Sequence, residues 1–101
     1  MVFALGPCTE WVARACDVTL ERVFGRIRQD FSGRIRDALI DDALSYVGFN
    51  ECRLALEVFL DHLEAHDVSI DQDEFVYLGD LAFYLGVESE YFLTLQKLLD
   101  L

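Results

Sequence analysis

Two runs of helical periodicity, separated by only a few residues, fix the centre of this chain. Between Ala43 and Val87 it reads ALSYVGFNECRLALEVFLDHLEAHDVSIDQDEFVYLGDLAFYLGV. From about Glu51 to Ala65, Leu56, Phe59, Leu60 and Leu63 recur at helical spacing and make one wide apolar face. From Asp71 to about Leu85, Phe75, Leu78, Ala82 and Leu85 make another. Asp71 with Glu74 is a capping-box-like start, acids in a first turn suit the helix dipole, and Gly86 is a stop signal. The link Asp67-Val68-Ser69-Ile70 is short, so the two helices should be antiparallel neighbours, with Val68 and Ile70 turned inward and Ser69 facing water.

The same period extends outward. After a loose lead-in over residues 1–8 ended by Gly6-Pro7, Thr9 is a candidate N-cap for a helix to about Gln29. Val12, Cys16, Leu20, Val23 and Ile27 would form its apolar face, with Glu10, Arg14, Asp17, Glu21 and Arg28 opposite. Gly25 weakens that helix by about 1 kcal/mol relative to alanine and is a candidate break. Ser32-Gly33 punctuates the chain. A helix from about Arg34 to Val47 follows, with Ile40, Ala43, Leu44 and Val47 inward and Asp37 and Asp41 in water. Gly48 suits a left-handed C-terminal position, and Asn50 suits a cap for the next helix. Ser89 opens a last helix through Tyr91, Phe92, Leu95, Leu98 and Leu99, apolar nearly all round, which should be buried on more than one side or cover a second chain. No stretch alternates with period two between turn residues. The expectation is an all-α, compact bundle of about five short, mostly antiparallel helices forming a single domain over residues 1–101, as a monomer or homodimer.

Charge narrows the function classes. The net charge is −11 and unevenly spread. Residues 1–36 hold six arginines against four acids, a balance of +2, whereas residues 37–101 hold 15 acids against Arg53 and Lys97, a balance of −13. Phosphate repels such a surface, so nucleic acid is not the expected partner of the C-terminal part; a basic protein is. The ordinary alternative is that the acid keeps an apolar small protein in solution. Cys8, Cys16 and Cys52 are odd in number and lack C-x-x-C spacing, which points to a reducing, cytoplasmic setting without a disulfide framework. No apolar run approaches the roughly 20 residues of a membrane span.

No catalytic signature emerges, and no cofactor is expected. His62 and His66 share a helix face, but there is no third histidine, and the spacing is not H-E-x-x-H. Asp67, Ser69, Asp71 and Asp73 imitate the early positions of a calcium loop, but Gln72 and Leu78 stand where glycine and a bidentate glutamate are needed. Metal ligation and catalysis are therefore not expected. Two stripes remain as candidate partner-binding faces. Glu57, Asp61 and Glu64 lie at i, i+4 and i+7 of one helix. Asp73, Tyr77, Asp80 and Tyr84 lie at i, i+4, i+7 and i+11 of the next. Tyrosine is enriched at binding hot spots, and carboxylates complement a basic patch. The tyrosines would equally suit packing against a neighbouring helix with their hydroxyls at the rim.

The central stretch resembles the small immunity proteins of the Maf type, which accompany secreted polymorphic toxins in bacteria and are akin to those of contact-dependent growth inhibition. The matching residues are Ala43-Leu44-x-Tyr46-Val47, Glu51, Leu54-Ala55-Leu56-Glu57, Leu60, Leu63, Val68-Ser69-Ile70, Glu74, Leu78, Leu81 and Leu85-Gly86. The resemblance covers about 45 residues, mostly core positions, and leaves the arginine-bearing N-terminal part outside. It implies a non-enzymatic inhibitor that binds the toxic C-terminal domain of a cognate effector inside the producing cell. Such toxins are often nucleases, hence often basic. A helical adaptor or regulatory subunit without a toxin is the alternative expectation.

Overall fold

The computed structural model describes residues 19–100. Five α-helices are present among them: α1 (Thr19–Phe31), α2 (Asp37–Ser45), α3 (Cys52–Ala65), α4 (Gln72–Leu85) and α5 (Glu90–Leu98), with a short 3-10 turn at Val47–Phe49. The described residues contain no strand, and the all-α expectation holds. No helix among them is long and apolar enough to cross a membrane.

Helix α1 places Phe24, Ile27 and Phe31 inward at i, i+3 and i+7, and all three are buried. It runs unbroken through Gly25 and ends at Phe31 rather than Gln29. The lead-in over 1–8 and the expected helix start at Thr9 lie outside the described residues. Helix α2 begins at Asp37, three residues later than its periodicity suggested. The chain turns at Ser32–Ile35, where Gly33 has φ +87° and Arg34 and Ile35 both donate backbone N–H groups to the Phe31 carbonyl. Arg34 is thereby held in the turn. Ile40 and Ala43 are buried as expected, whereas Leu44 is only half-buried.

The α2–α3 connection departs from expectation at two residues, Gly48 and Asn50. The left-handed conformation falls on Asn50 (φ 63°), not on Gly48. Asn50 therefore closes the 3-10 turn instead of capping α3, and the residue preceding α3 is Glu51, which makes no side-chain cap bond. Asparagine tolerates this region better than most residues, so the turn costs little. Asp67 adopts a similar conformation (φ 51°) just after α3.

Helices α2 and α3 form the most extensive helix–helix contact, and α5 packs on both α3 and α4. The core draws Leu56, Phe59, Leu60 and Leu63 from α3, all fully buried. From α4 it takes Leu78, Leu81 and Ala82, with Phe75 and Leu85 only half-buried. From α5 it takes Leu95 and Leu98. Phe31 and Phe59 meet edge to face, ring centroids 5.1 Å apart. Val68 and Ile70 are buried and Ser69 is exposed. Ile70 exchanges backbone bonds with the far end of the chain: its N–H donates to the Leu98 carbonyl at 3.0 Å, and the Asp100 N–H donates to the Ile70 carbonyl at 2.9 Å. This clasp holds the end of α5 beside the α3–α4 link. Cys52 is buried and disulfide-bonded. This bond departs, at Cys52, from the expectation that the cysteines form no disulfide framework.

Candidate functional site

The acid ridge of α3 and the flank of α5 form the first candidate surface. Glu57, Asp61 and Glu64 share a face of α3, and α5 lies along it. The Tyr91 hydroxyl donates to Asp61 Oδ2 at 3.4 Å. Lys97 Nζ stands 3.5 Å from Glu64 Oε2. At the other end Arg53 reaches Glu57 at 3.8 Å, and the Glu57 side chain is half-buried rather than fully in water. Between the two helices opens a cleft of about 440 Å³, lined by Asp61, Glu64, Glu90, Tyr91, Leu93, Thr94 and Lys97. Lys97 is the one cation among these lining residues.

Electrostatics in the cleft follow from crowded carboxylates. Partial burial, then the neighbouring Asp61 carboxylate, push the Tyr91 hydroxyl up to about 12, because both disfavour a phenolate there. The Glu90 carboxyl is also raised, first through its hydrogen bond with Glu88 and then through repulsion by that same group. Each added negative charge meets those already present, and a cation entering the cleft would relieve this repulsion.

The second stripe is not one open surface. The Tyr77 ring lies under the Arg26 guanidinium, 4.3 Å from its centroid, and its hydroxyl donates to Asp30 Oδ2 at 3.2 Å. Burial first, then Asp30, hold the Tyr77 hydroxyl well above the usual tyrosine range. Tyr77 is thus a contact between α4 and α1. Tyr84 is half-buried against the core. Asp73 is exposed and Asp80 half-buried, and neither makes an ion pair or side-chain hydrogen bond among the described residues. The two predicted stripes do not merge into a single face. Asp61 and Glu64 border the Tyr91–Lys97 flank of α5, whereas Asp80 lines a separate groove on its Phe92 flank.

Several residues that matter here escaped the sequence reading. Glu90, Tyr91 and Lys97 complete the acidic cleft, yet α5 reads simply as apolar. Arg34 sits 40 residues from Glu74 in sequence but grips its carboxylate with Nη1 at 2.5 Å and Nη2 at 3.0 Å, and donates from Nη2 to the Ser69 carbonyl. Arg28 pairs with Asp41. The arginines at positions 26, 28 and 34 therefore stitch the basic N-terminal part to the acidic remainder of the chain.

His62 Nε2 lies 3.1 Å from Asp42 Oδ2, joining α3 to α2. Among the described residues no group of three His, Cys, Asp or Glu side chains converges to hold a metal ion. No family model matches the chain, and neither any curated protein nor any solved structure proves similar to it. The likeness to the Maf-type immunity proteins therefore rests on the residues quoted from the 43–87 stretch.

Proposed function

We propose that this protein acts by binding, as an immunity-type inhibitor whose acidic α3–α5 cleft receives a cationic surface of a toxin domain. The observation that carries the reading is the concentration of Asp61, Glu64 and Glu90 about one cleft with only Lys97 opposing them. Such a field speeds encounter with a basic partner and repels acidic ones. A basic nuclease toxin fits because an enzyme that grips phosphate must itself carry surplus positive charge. The resemblance over residues 43–87 points the same way. No step of chemistry is needed: inhibition follows from covering the toxin's active site or a surface it needs.

The test is co-expression with the C-terminal domain encoded immediately upstream, scored by survival and by purification of the pair. Rescue with a stoichiometric complex, whose affinity falls as salt rises, supports the reading. Replacing Asp61 and Glu64 together by lysine should then abolish rescue while leaving the helical content intact. Absence of both rescue and complex, with both proteins folded, rejects it in favour of an adaptor without a toxin.

A further inference from the structure

The Phe92 flank of α5 carries a second surface, different in chemistry from the acidic cleft. On α4, Val76 and Phe83 lie at i and i+7, exposed by 50% and 78% respectively. Gly79 stands between them. Its φ is not in the left-handed region, so the backbone does not require glycine there. A Cβ at this position would meet nothing within 4 Å among the described residues, so no close approach among them requires it either. A glycine in a helix interior weakens the helix relative to alanine. What the missing side chain does is open a groove of about 370 Å³ between α4 and Phe92 of α5, with the buried Leu95 among its lining residues and Asp80 beside it.

We propose that this groove seats an amphipathic helix of a basic protein partner. Its apolar side chains lie over Gly79, between Val76, Phe83 and Phe92, and its lysines or arginines meet Asp73 and Asp80. This is the helix-in-groove mode, in which an apolar face supplies anchoring and charged edges set orientation. Charge selects the occupant. From residue 54 to residue 100 the chain holds eleven acids and, of lysine and arginine, only Lys97. A second copy docked about a two-fold axis would set carboxylates against carboxylates. The stretch 1–18, with Glu10 and Asp17 against Arg14, brings no surplus of positive charge. The inference stands on α4 and α5 alone and does not depend on the partner of the acidic cleft being a toxin.

The probe is a synthetic amphipathic helical peptide with leucines on one face and lysines on the other, titrated into the full chain. Its control carries glutamate in place of every lysine. The lysine peptide should shift the amide resonances of Val76, Gly79, Phe83 and Phe92, and the glutamate peptide should not. Gly79→Leu fills the groove from a helical position with open space around it. It should weaken lysine-peptide binding by about ten-fold or more with helical content unchanged. Phe83→Ser should weaken it comparably without adding bulk. Equal affinity for both peptides, binding indifferent to Gly79→Leu and Phe83→Ser, or resonance shifts confined to the α3 acids would overturn the proposal. So would sedimentation showing a dimer of the free chain that Gly79→Leu dissociates.

Discussion

Removing the Arg34 side chain should destabilise this protein more than neutralising the carboxylate it binds. The Glu74 side chain is 8% exposed and that of Arg34 35%. Glu74 accepts three hydrogen bonds: two from the guanidinium and one from the Asp71 N–H at 3.0 Å, the latter being half of the capping box that starts α4. Arg34→Ala takes away two of the three and strands a buried anion. Breaking a buried pair from one side costs about 3–5 kcal/mol, and the partial exposure of the arginine lets water into the vacated space. An expected loss of about 2–3 kcal/mol follows. Glu74→Gln leaves an acceptor for Asp71 and frees a guanidinium that can turn to solvent, so about 1–2 kcal/mol is expected there.

The double replacement Arg34→Met with Glu74→Leu separates pairing from burial. No charge remains stranded, and the methionine can cover the Phe31 ring that the guanidinium now overlies at 4.4 Å. The double variant should be more stable than Arg34→Ala alone, losing mainly the side-chain half of the capping box, about 1 kcal/mol. Urea unfolding followed by circular dichroism at a common slope gives the comparison. The Arg34 guanidinium is raised above its usual value, chiefly by its bond to Glu74. A raised pKa means that its contribution is complete below the unfolded value, so the effect of Arg34→Ala should not vary between pH 6 and 9 on the guanidinium's account. Arg34→Ala within about 0.5 kcal/mol of the parent would refute the reasoning, since that is the range of an inert surface substitution. A double variant as unstable as the sum of the single losses would refute it too.

Other consequences can be measured on the same material. Tyr77 has its hydroxyl raised from 10.0, so its neutral form is favoured in the fold. The stability this provides is complete below pH 10 and is lost as pH rises beyond it, so Tyr77→Phe should flatten the alkaline fall in unfolding free energy, and an unchanged slope between pH 9 and 11.5 would contradict that. Two glycines of the α4 region should respond oppositely to alanine. Gly86 has φ +74°, so Gly86→Ala should cost about 1 kcal/mol, whereas Gly79→Ala should gain about 0.5–1 kcal/mol, both read from denaturation midpoints. Phe59→Ala removes a fully buried ring that meets Phe31, and a loss of about 3–5 kcal/mol is expected from thermal or urea melts.

The central hairpin was legible because its two signals agree. The apolar spacing of Leu56, Phe59, Leu60 and Leu63 and the Asp71–Glu74 capping box are local, and both are realised. What periodicity cannot supply is the identity of the element that covers a face. The stripe of Asp73, Tyr77, Asp80 and Tyr84 is a true helical stripe, yet Tyr77 is spent on Arg26 and Asp30 of α1, 47 residues away in the case of Asp30. Arg34 belonged by spacing to a helix start, but its value lies in a turn that aims it at Glu74. The lopsided charge of the sequence likewise misleads in part, because the arginines at 26, 28 and 34 are answered by acids within the fold. The surfaces left for a partner are therefore those where intrachain answers run out. On the α3–α5 flank, Lys97 meets Glu64 while Asp61 and Glu90 have no ion pair among the described residues. On α4, Asp80 has no ionic answer among the described residues, and Val76 and Phe83 stand in solvent on either side of a glycine at which a Cβ would meet nothing within 4 Å among those residues. The first surface offers charge and the second offers apolar area beside charge. By the usual anatomy of interfaces, in which fully desolvated apolar anchors carry most of the affinity and rim charges govern encounter, mutations at Phe83 should slow nothing but hasten dissociation, and mutations at Asp61 should do the reverse.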